Sequence, residues 1–202
     1  MLRVAVCISG KGSLVPPLLK AARESQEQQQ TQMEISCVVA DRPHAPGLKS
    51  NWAERVPTFC IDRSRNPESF SDRLLNLLRP RADMIVLAGF LSILDGSILK
   101  EYKGRILNIH PALLPKFGGK GMYGMHVHRA VVSAKEQESG CTVHGVTRGI
   151  DSGPIILQRK VSLSPDETAE SLQDKVRQIE GPALAAALTQ VAASWSEAVE
   201  GG

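Results

Sequence analysis

Short apolar runs alternate with amphipathic stretches through most of this sequence, and that alternation constrains the fold more than any other feature. Five runs have the length and composition of β-strands: Leu2–Ile8, Ile35–Ala40, Thr58–Ile61, Met84–Ala88 and Arg105–Ile109. The stretches between them, at about 13–23, 48–55, 68–78 and 97–102, have the spacing of helices. Because this βαβα order is typical of parallel strands buried beneath helices on both faces, we expect an α/β protein with a Rossmann-like, three-layer αβα sandwich.

The last third of the chain departs from this alternation. Only a short turn rich in Gly and Pro separates Cys141–Thr147 from Ile155–Val161, which predicts a hairpin and therefore an antiparallel edge on the sheet. Asp166–Ala193 is a long amphipathic stretch with Ser164 as its candidate cap. The pair Gly181-Pro182 interrupts it, so we expect a kink there or two separate helices.

Length and charge limit the possible functions. The 202 residues suffice for one domain with a substantial core, so we expect a single domain over residues 1–202. The polar run Glu24–Gln32 is interpreted as a helix end and loop, not as a boundary. A net charge of +3, spread evenly, argues against the basic face of a nucleic-acid-binding protein. No apolar run approaches the roughly 18 residues of a membrane helix, and the first strand is too short for a signal peptide, so we expect no membrane partner.

The four cysteines lie far apart in the sequence. Cys7, Cys37 and Cys141 fall within the longer apolar runs, Cys60 lies in the short third run, and no pair has C-x-x-C spacing. We therefore expect reduced thiols in the core of a cytoplasmic protein.

The first strand runs into Ser9-Gly-Lys-Gly-Ser13, a turn that opens onto a helix. Free backbone N–H groups and the helix dipole favour a phosphate at such a place. The loop does not complete a dinucleotide fingerprint, because Val15 stands where a third glycine is required, and it is not a P-loop. Asp41, just past the second strand, could bind a ribose. A tight turn without a ligand remains the alternative.

Asn108 and His110 lie two residues apart on one strand, so their side chains share a face at the carboxyl end of the sheet. Asp151 and His144 lie on the neighbouring segment. An amide and a protonated imidazole can donate to a developing oxyanion, while a carboxylate keeps the imidazole charged, which is the chemistry of acyl transfer. The alternative is that Asn108 and His110 only satisfy hydrogen bonds of the surrounding loop.

The run Asn108-Ile-His-Pro-x-Leu-Leu-Pro-Lys116, with Asp151-x-Gly-Pro154, resembles the signature of the folate-dependent formyltransferases. The Ser9–Ser13 loop and the length resemble the branch that formylates glycinamide ribonucleotide, and the match extends from residue 2 to about residue 190. Branches that act on methionyl-tRNA, or that hydrolyse formyltetrahydrofolate, carry an additional domain for which we expect no room. The resemblance implies transfer of a formyl group from 10-formyltetrahydrofolate to the glycinamide amine in purine synthesis, without a metal.

The resemblance also implies a role for each matching residue. Asn108, His110 and Asp151 correspond to the catalytic amide, imidazole and carboxylate. His110, as imidazolium, and Asn108 would donate hydrogen bonds to the tetrahedral oxyanion. Asp151 would raise the pKa of His110 above its reference of about 6.5 and relay the amine proton to the departing folate nitrogen, through water.

Two groups of residues are implied to bind the substrates. The phosphate of glycinamide ribonucleotide would lie on the first loop and its amine end near a carboxylate: Gly10, Lys11, Gly12, Ser13 and Glu180. Glu180 also fits an ordinary carboxylate on a helix surface. The folate would lie against two loops: Leu91, Ser92, Ile93, Leu94, Thr147, Arg148, Gly149 and Ile150. Some of these leucine and isoleucine side chains could equally belong to the core.

Three departures from the family pattern stand out. Leu14 replaces an Asn that usually follows the loop, and Ser92 replaces an Arg common at the folate mouth. The segment 117–125 is long and contains four glycines, which suggests either a lid or a tolerated insertion. His126 and His128 follow it, but no third acidic ligand accompanies them, so we expect no metal.

Two other classes of function remain open. In a hydrolase, water would attack the same formyl group, although it would not need the phosphate loop. In a nucleotide-binding module without catalysis, the Asn, His and Asp would be coincidental. In each case we expect small-molecule ligands, and a monomer or weak homodimer.

Overall fold

The structure is a computed structural model that describes residues 1–27 and 32–200. One sheet of seven strands, in the order β3-β2-β1-β4-β5-β6-β7, spans the molecule. Its strands are β1 Leu2–Ile8, β2 Met33–Ala40, β3 Thr58–Cys60, β4 Met84–Leu87, β5 Ile106–His110, β6 Glu138–Gly145 and β7 Ile155–Ser162. Strands β1 to β5 are parallel, while β6 is antiparallel to both β5 and β7. The predicted parallel sheet with an antiparallel edge is confirmed.

Helices cover both faces of the sheet: α1 Val15–Glu27, α2 Phe70–Leu78, α3 Gly96–Glu101, α4 Met125–Ser133 and α5 Ala169–Glu200. In β1, the side chains of Val4 and Val6 join one core cluster with α1, α4 and α5, whereas Ala5 and Cys7 join a second with α2 and α3. This alternation follows from the two-residue period of a strand and produces the three predicted layers.

Some predicted elements differ in detail. The helix predicted at 48–55 is instead two short 3-10 turns, Pro46–Lys49 and Asn51–Glu54, because Ser50 between them is extended and interrupts the helical backbone. The helical part of the Gln-rich stretch continues to Glu27, and the loop predicted to follow it falls largely on 28–31, outside the described residues, as do 201 and 202.

Helix α5 is one continuous element, so the predicted alternative of two helices is wrong. Its start is capped by Thr168 instead of Ser164: the Ser171 N–H donates to Thr168 Oγ1 at 3.1 Å, and the Thr168 N–H donates to Ser171 Oγ at 3.1 Å. Pro182 lies inside the helix. The segment stays helical because the residues that follow, Leu184 and Leu188 among them, are fully buried in the core.

Cys7, Cys37 and Cys141 are buried free thiols, as expected from their apolar runs. Cys60 is exposed, because it ends the short edge strand β3, so the prediction that it belongs to the core is wrong. Among the residues that the structure describes, no helix combines the length and hydropathy needed to cross a bilayer.

Candidate active site

Three segments bring the predicted catalytic residues together at the carboxyl end of β5. Asn108 and His110 are on β5, and the antiparallel pairing places His144 of β6 directly opposite Asn108. Asp151 lies in the turn between β6 and β7 with φ of 52°, a left-handed conformation that is uncommon outside glycine. This edge is where open α/β sheets bind ligands.

The carboxylate of Asp151 lies between two imidazoles. Its Oδ2 is 3.4 Å from His110 Nδ1, and its Oδ1 is 3.6 Å from His144 Nε2. The backbone N–H of Gly119 donates to Oδ2 at 3.0 Å, so the glycine-rich segment is part of this arrangement. Burial by itself raises the pKa of Asp151, but the contact with His144, the Gly119 N–H and the two imidazoles together hold that pKa below its usual value. Asp151 is therefore a carboxylate at neutral pH.

His110 is engaged at both ring nitrogens. Nε2 lies 2.8 Å from the carbonyl oxygen of Phe117. Because a carbonyl only accepts, Nε2 carries a proton and donates it there, which leaves Nδ1 facing Asp151. The side chain is 4% exposed. Burial lowers the pKa of His110, and Asp151 and the Phe117 carbonyl only partly offset this. The expectation that Asp151 raises this pKa above its reference is wrong, because desolvation of the imidazolium has the larger effect.

Asn108 and His144 form a second hydrogen-bonded unit. The His144 Nδ1 lies 2.9 Å from the carbonyl oxygen of Gly145, so Nδ1 carries the ring proton. Its Nε2 can then accept from the amide Nδ2 of Asn108 at 3.2 Å. His144 thereby fixes the orientation of the Asn108 amide and is a packed, hydrogen-bonded neighbour of the site.

A cavity of about 230 Å³ lies between the first loop and α5. It is lined by Ser13, Leu14, Pro17, Arg177, Gln178, Glu180, Gly181 and Pro182. Of the predicted phosphate loop, Ser13 lines this cavity together with Glu180, whereas Gly10, Lys11 and Gly12 are not among its lining residues. Burial raises the pKa of Glu180 to about 7, and Arg177 opposes that shift. Sequence reasoning missed Arg177, which no motif singles out.

Around the first loop, the first turn of α1 offers few free N–H groups to an anion, so the N–H groups of the loop itself matter more. Pro16 and Pro17 occupy the first turn of α1 and have no N–H, and the Val15 N–H already donates to Gly12 O at 3.0 Å. Gly12 has φ of 67°, and a Cβ there would lie 2.6 Å from the Trp52 ring, so the tight turn requires glycine. An anion bound here would therefore need positive side chains such as Lys11 or Arg177 as well.

The residues predicted to bind folate divide into two sets. Leu91 and Ile93, 48% and 69% exposed, present apolar side chains, and the loop of Thr147, Arg148, Gly149 and Ile150 is exposed beside β6. Leu94 instead belongs to the core cluster with α2 and α3. The hydroxyl of Ser92 points inward and donates to the buried carboxylate of Asp41 at 2.7 Å.

The glycine-rich segment leads into α4, where His126 is exposed and His128 is buried. In the described residues, His128 Nδ1 has no hydrogen-bond partner. That part of the chain also holds no group of three or more His, Cys, Asp or Glu side chains placed to bind a metal ion.

The chain is similar to known proteins in both sequence and structure. The family model described as formyl transferase matches residues 2–188. The trifunctional purine biosynthetic protein adenosine-3 of Drosophila melanogaster is 37% identical over 192 residues, which are 94% of this chain but 14% of that protein. The phosphoribosylglycinamide formyltransferase of Haemophilus influenzae is 32% identical over 183 residues, 89% of this chain and 82% of that protein. Glycinamide ribonucleotide transformylase 1 from Symbiobacterium toebii has a TM-score of 0.83 at 31% identity, covering 95% of this chain and 88% of that one.

A formyltetrahydrofolate deformylase from Pseudomonas syringae is also similar in structure. Its TM-score is 0.79 at 25% identity, and the similarity covers 95% of this chain but 61% of that chain. The identity and the coverage of the other protein are both lower than for the transformylase from Symbiobacterium toebii.

Proposed function

Since this chain belongs to the formyl transferase family, we propose that it transfers the formyl group of 10-formyltetrahydrofolate to the amine of glycinamide ribonucleotide, a step of purine synthesis. The observation that carries the proposal is the placement of Asp151 between His110 and His144, with Asn108 hydrogen-bonded to His144, at the carboxyl end of the sheet. We further propose that residues 1–202 act as a single domain, as a monomer or weak homodimer in the cytoplasm, with small molecules as its partners.

The reaction begins when the amine nitrogen attacks the formyl carbon and the carbonyl electrons move onto oxygen. The Asn108 amide, oriented by His144, donates a hydrogen bond to that oxyanion. When the tetrahedral intermediate collapses, the bond between carbon and the folate nitrogen breaks. The amine loses a proton and the folate nitrogen gains one. The ionised Asp151 accepts the proton from the amine and passes it to the folate nitrogen, directly or through water.

His110 enters this sequence as a neutral imidazole, because burial lowers its pKa. In the structure the Nε2–H of His110 donates to the carbonyl oxygen of Phe117. To stabilise the oxyanion, this N–H would leave the carbonyl and donate to the substrate oxygen instead. The proton that the attacking amine releases can pass from Asp151 to the adjacent Nδ1 of His110, and the carboxylate then stabilises the imidazolium until that proton reaches the folate nitrogen.

The ribonucleotide fits the cavity between the first loop and α5. Its phosphate would contact the N–H groups of Gly10, Lys11, Gly12 and Ser13, together with the charge of Arg177. Its amine end would lie near Glu180, whose carboxylate can orient an amine. The folate would lie across the exposed side chains of Leu91, Ile93 and Ile150 and the loop at 147–149, with Ser92 and Leu94 contributing only backbone groups.

One experiment tests the transferase proposal against its alternatives. Release of tetrahydrofolate from 10-formyltetrahydrofolate is followed by absorbance, with and without glycinamide ribonucleotide. Turnover only in the presence of the amine supports the transferase, whereas turnover without the amine favours the hydrolase, in which the phosphate loop has no role. No turnover under either condition contradicts the proposal and favours the nucleotide-binding module.

A further inference from the structure

A row of three polar residues crosses the antiparallel edge of the sheet. Thr142 of β6 pairs with His110 of β5 on one side and with Gln158 of β7 on the other. Residues that lie directly opposite each other in a sheet have their side chains on the same face. The row therefore connects the imidazole of the candidate site to the outermost strand of the sheet.

The two outer side chains of this row bind the backbone of the loop that follows β5. Thr142 is fully buried, and its hydroxyl donates to Ala112 O at 2.6 Å and accepts from the Leu114 N–H at 3.0 Å. The amide Nε2 of Gln158 donates to Leu114 O and to Thr142 Oγ1, both at 2.9 Å. These bonds use the one proton and both lone pairs of the hydroxyl, and they hold Leu114 at both of its backbone polar groups.

Leu114 packs against the glycine-rich turn beside the site. Its side chain is buried and lies so close to Gly118 that a Cβ on that glycine would be 2.5 Å from Leu114 Cδ2. On either side of Gly118, the carbonyl of Phe117 accepts from His110 Nε2 at 2.8 Å, and the N–H of Gly119 donates to the carboxylate of the site at 3.0 Å. The position of Leu114 therefore determines where these two backbone groups lie.

Neutral His110 has one ring proton, and two acceptors compete for it. The Phe117 carbonyl faces Nε2 at 2.8 Å, and Asp151 Oδ2 lies 3.4 Å from Nδ1. The carboxylate is intrinsically the stronger acceptor because it is charged, so the proton stays on Nε2 only while the carbonyl remains at hydrogen-bond distance. The proposed reaction needs this tautomer, in which Nε2–H can donate to the oxyanion and Nδ1 can accept a proton.

Resting on the proposed function, we infer that Gln158 is a positioning residue: through Leu114 it keeps the Phe117 carbonyl on His110 and so holds the imidazole in the Nε2–H tautomer. Among the described residues, Gln158 donates only to Leu114 O and Thr142 Oγ1, so its effect on the imidazole passes through the loop. Without this donor the carbonyl would move away and the ring proton would transfer to Nδ1, beside Asp151. The oxyanion would then lose one donor, while both substrates would still bind.

The test uses Gln158→Glu, which keeps the length of the side chain but replaces its donor with a carboxylate that cannot donate to Leu114 O. We expect kcat for formyl transfer to fall roughly ten- to hundredfold, the effect of displacing a catalytic group by about 1 Å or less. The KM values for both substrates should change by less than about twofold. Proton–nitrogen NMR correlations of the neutral imidazole should show the ring proton of His110 on Nε2 in the wild type and on Nδ1 in the variant.

Two further variants isolate the amide donor. Gln158→Met leaves Leu114 O without a donor and adds no charge, so it should shift the tautomer in the same direction as Gln158→Glu. The matched control is Lys160→Gln, at the next position on the same face of β7, where the Lys160 side chain pairs with Glu138 at the surface. This control should keep the kcat and the tautomer of the wild type, and thermal unfolding verifies that each variant is folded.

A wild-type tautomer of His110 in folded Gln158→Glu and Gln158→Met proteins overturns the inference, even if kcat falls, because the loss would then be merely structural. An unchanged kcat, or a loss confined to KM, also overturns it. Failure of the proposed function is a separate result, since it appears as absent formyl transfer in the wild type. The NMR comparison needs no turnover and then still decides whether Gln158 controls the imidazole.

Discussion

Asp151 Oδ2 lies 3.4 Å from His110 Nδ1. Because the pKa values of both groups are lowered, the pair carries one negative charge at neutral pH. Burial lowers the pKa of His110, while the contacts of Asp151 hold its pKa below the usual value. In the proposed reaction the site therefore begins with a proton acceptor in place, and an imidazolium forms only when His110 takes up the proton that the attacking amine releases.

Asp151→Asn should lower kcat/KM for formyl transfer by about 10²–10⁴, because the amide can neither accept the amine proton nor favour the imidazolium. Steady-state kinetics with both substrates measures the effect. Asp166→Asn, at an exposed position before α5, is the control and should leave the rate unchanged. Full turnover of a folded Asp151→Asn protein would remove Asp151 from the mechanism.

Asn108→Ala should reduce kcat by about 10²–10³, the usual effect of losing one donor to an oxyanion. The substrate KM values should change much less, because the donor acts mainly in the transition state. His144→Ala should show a smaller loss of the same kind, since His144 orients the amide without touching the oxyanion. A loss confined to KM in either variant would argue for a binding role instead.

Arg177→Gln should raise the KM for glycinamide ribonucleotide by roughly tenfold and leave the KM for the folate unchanged, because the cavity joins Arg177 to the first loop and not to the loop at 91–94. The matched control is Lys20→Gln, which removes a surface charge from α1; among the described residues Lys20 forms an ion pair only with Glu24. Equal effects of the two variants would mean that net charge alone matters.

The raised pKa of Glu180, about 7, predicts two pH effects. Its carboxylate form is lost as pH falls through 7, so the KM for glycinamide ribonucleotide should rise below that pH, and Glu180→Gln should remove this pH dependence.

The raised pKa of Glu180 also affects stability, because the free energy of unfolding should fall as pH rises. Between about 4.5 and 7 the unfolded chain ionises while the folded protein keeps the proton, so this residue makes unfolding easier as pH rises. Chemical denaturation at pH 5 and 8 should show a smaller decline for Glu180→Gln than for the wild type.

The fold was largely predictable because its evidence is local. The apolar runs Leu2–Ile8 and Met84–Ala88 are predicted as strands, and the structure forms β1 and β4 there. A strand that is buried on both faces must be apolar at nearly every position, so its sequence signal is strong. Prediction failed where longer-range packing decides. Pro182 was expected to favour a break, but burial of the following turns keeps α5 continuous.

The candidate site was predictable in its residues but not in its electrostatics. The spacing of Asn108 and His110 on one strand is a local signal. The depth at which His110 is buried, and hence the direction of its pKa shift, depends on the segment at 117–119 and on β6. Arg177 is an ordinary surface residue in the sequence. It becomes a candidate only because α5 packs against α1 and brings it to the cavity near the first loop.

Helix α5 serves two purposes through different faces. Leu184 and Leu188 complete the core on one side of the sheet, while Arg177 and Glu180 complete the wall of the cavity opposite the first loop. During synthesis the first loop leaves the ribosome long before this helix does. The cavity therefore exists only once α5 has packed against α1, so binding of the proposed nucleotide depends on a contact between segments far apart in the chain.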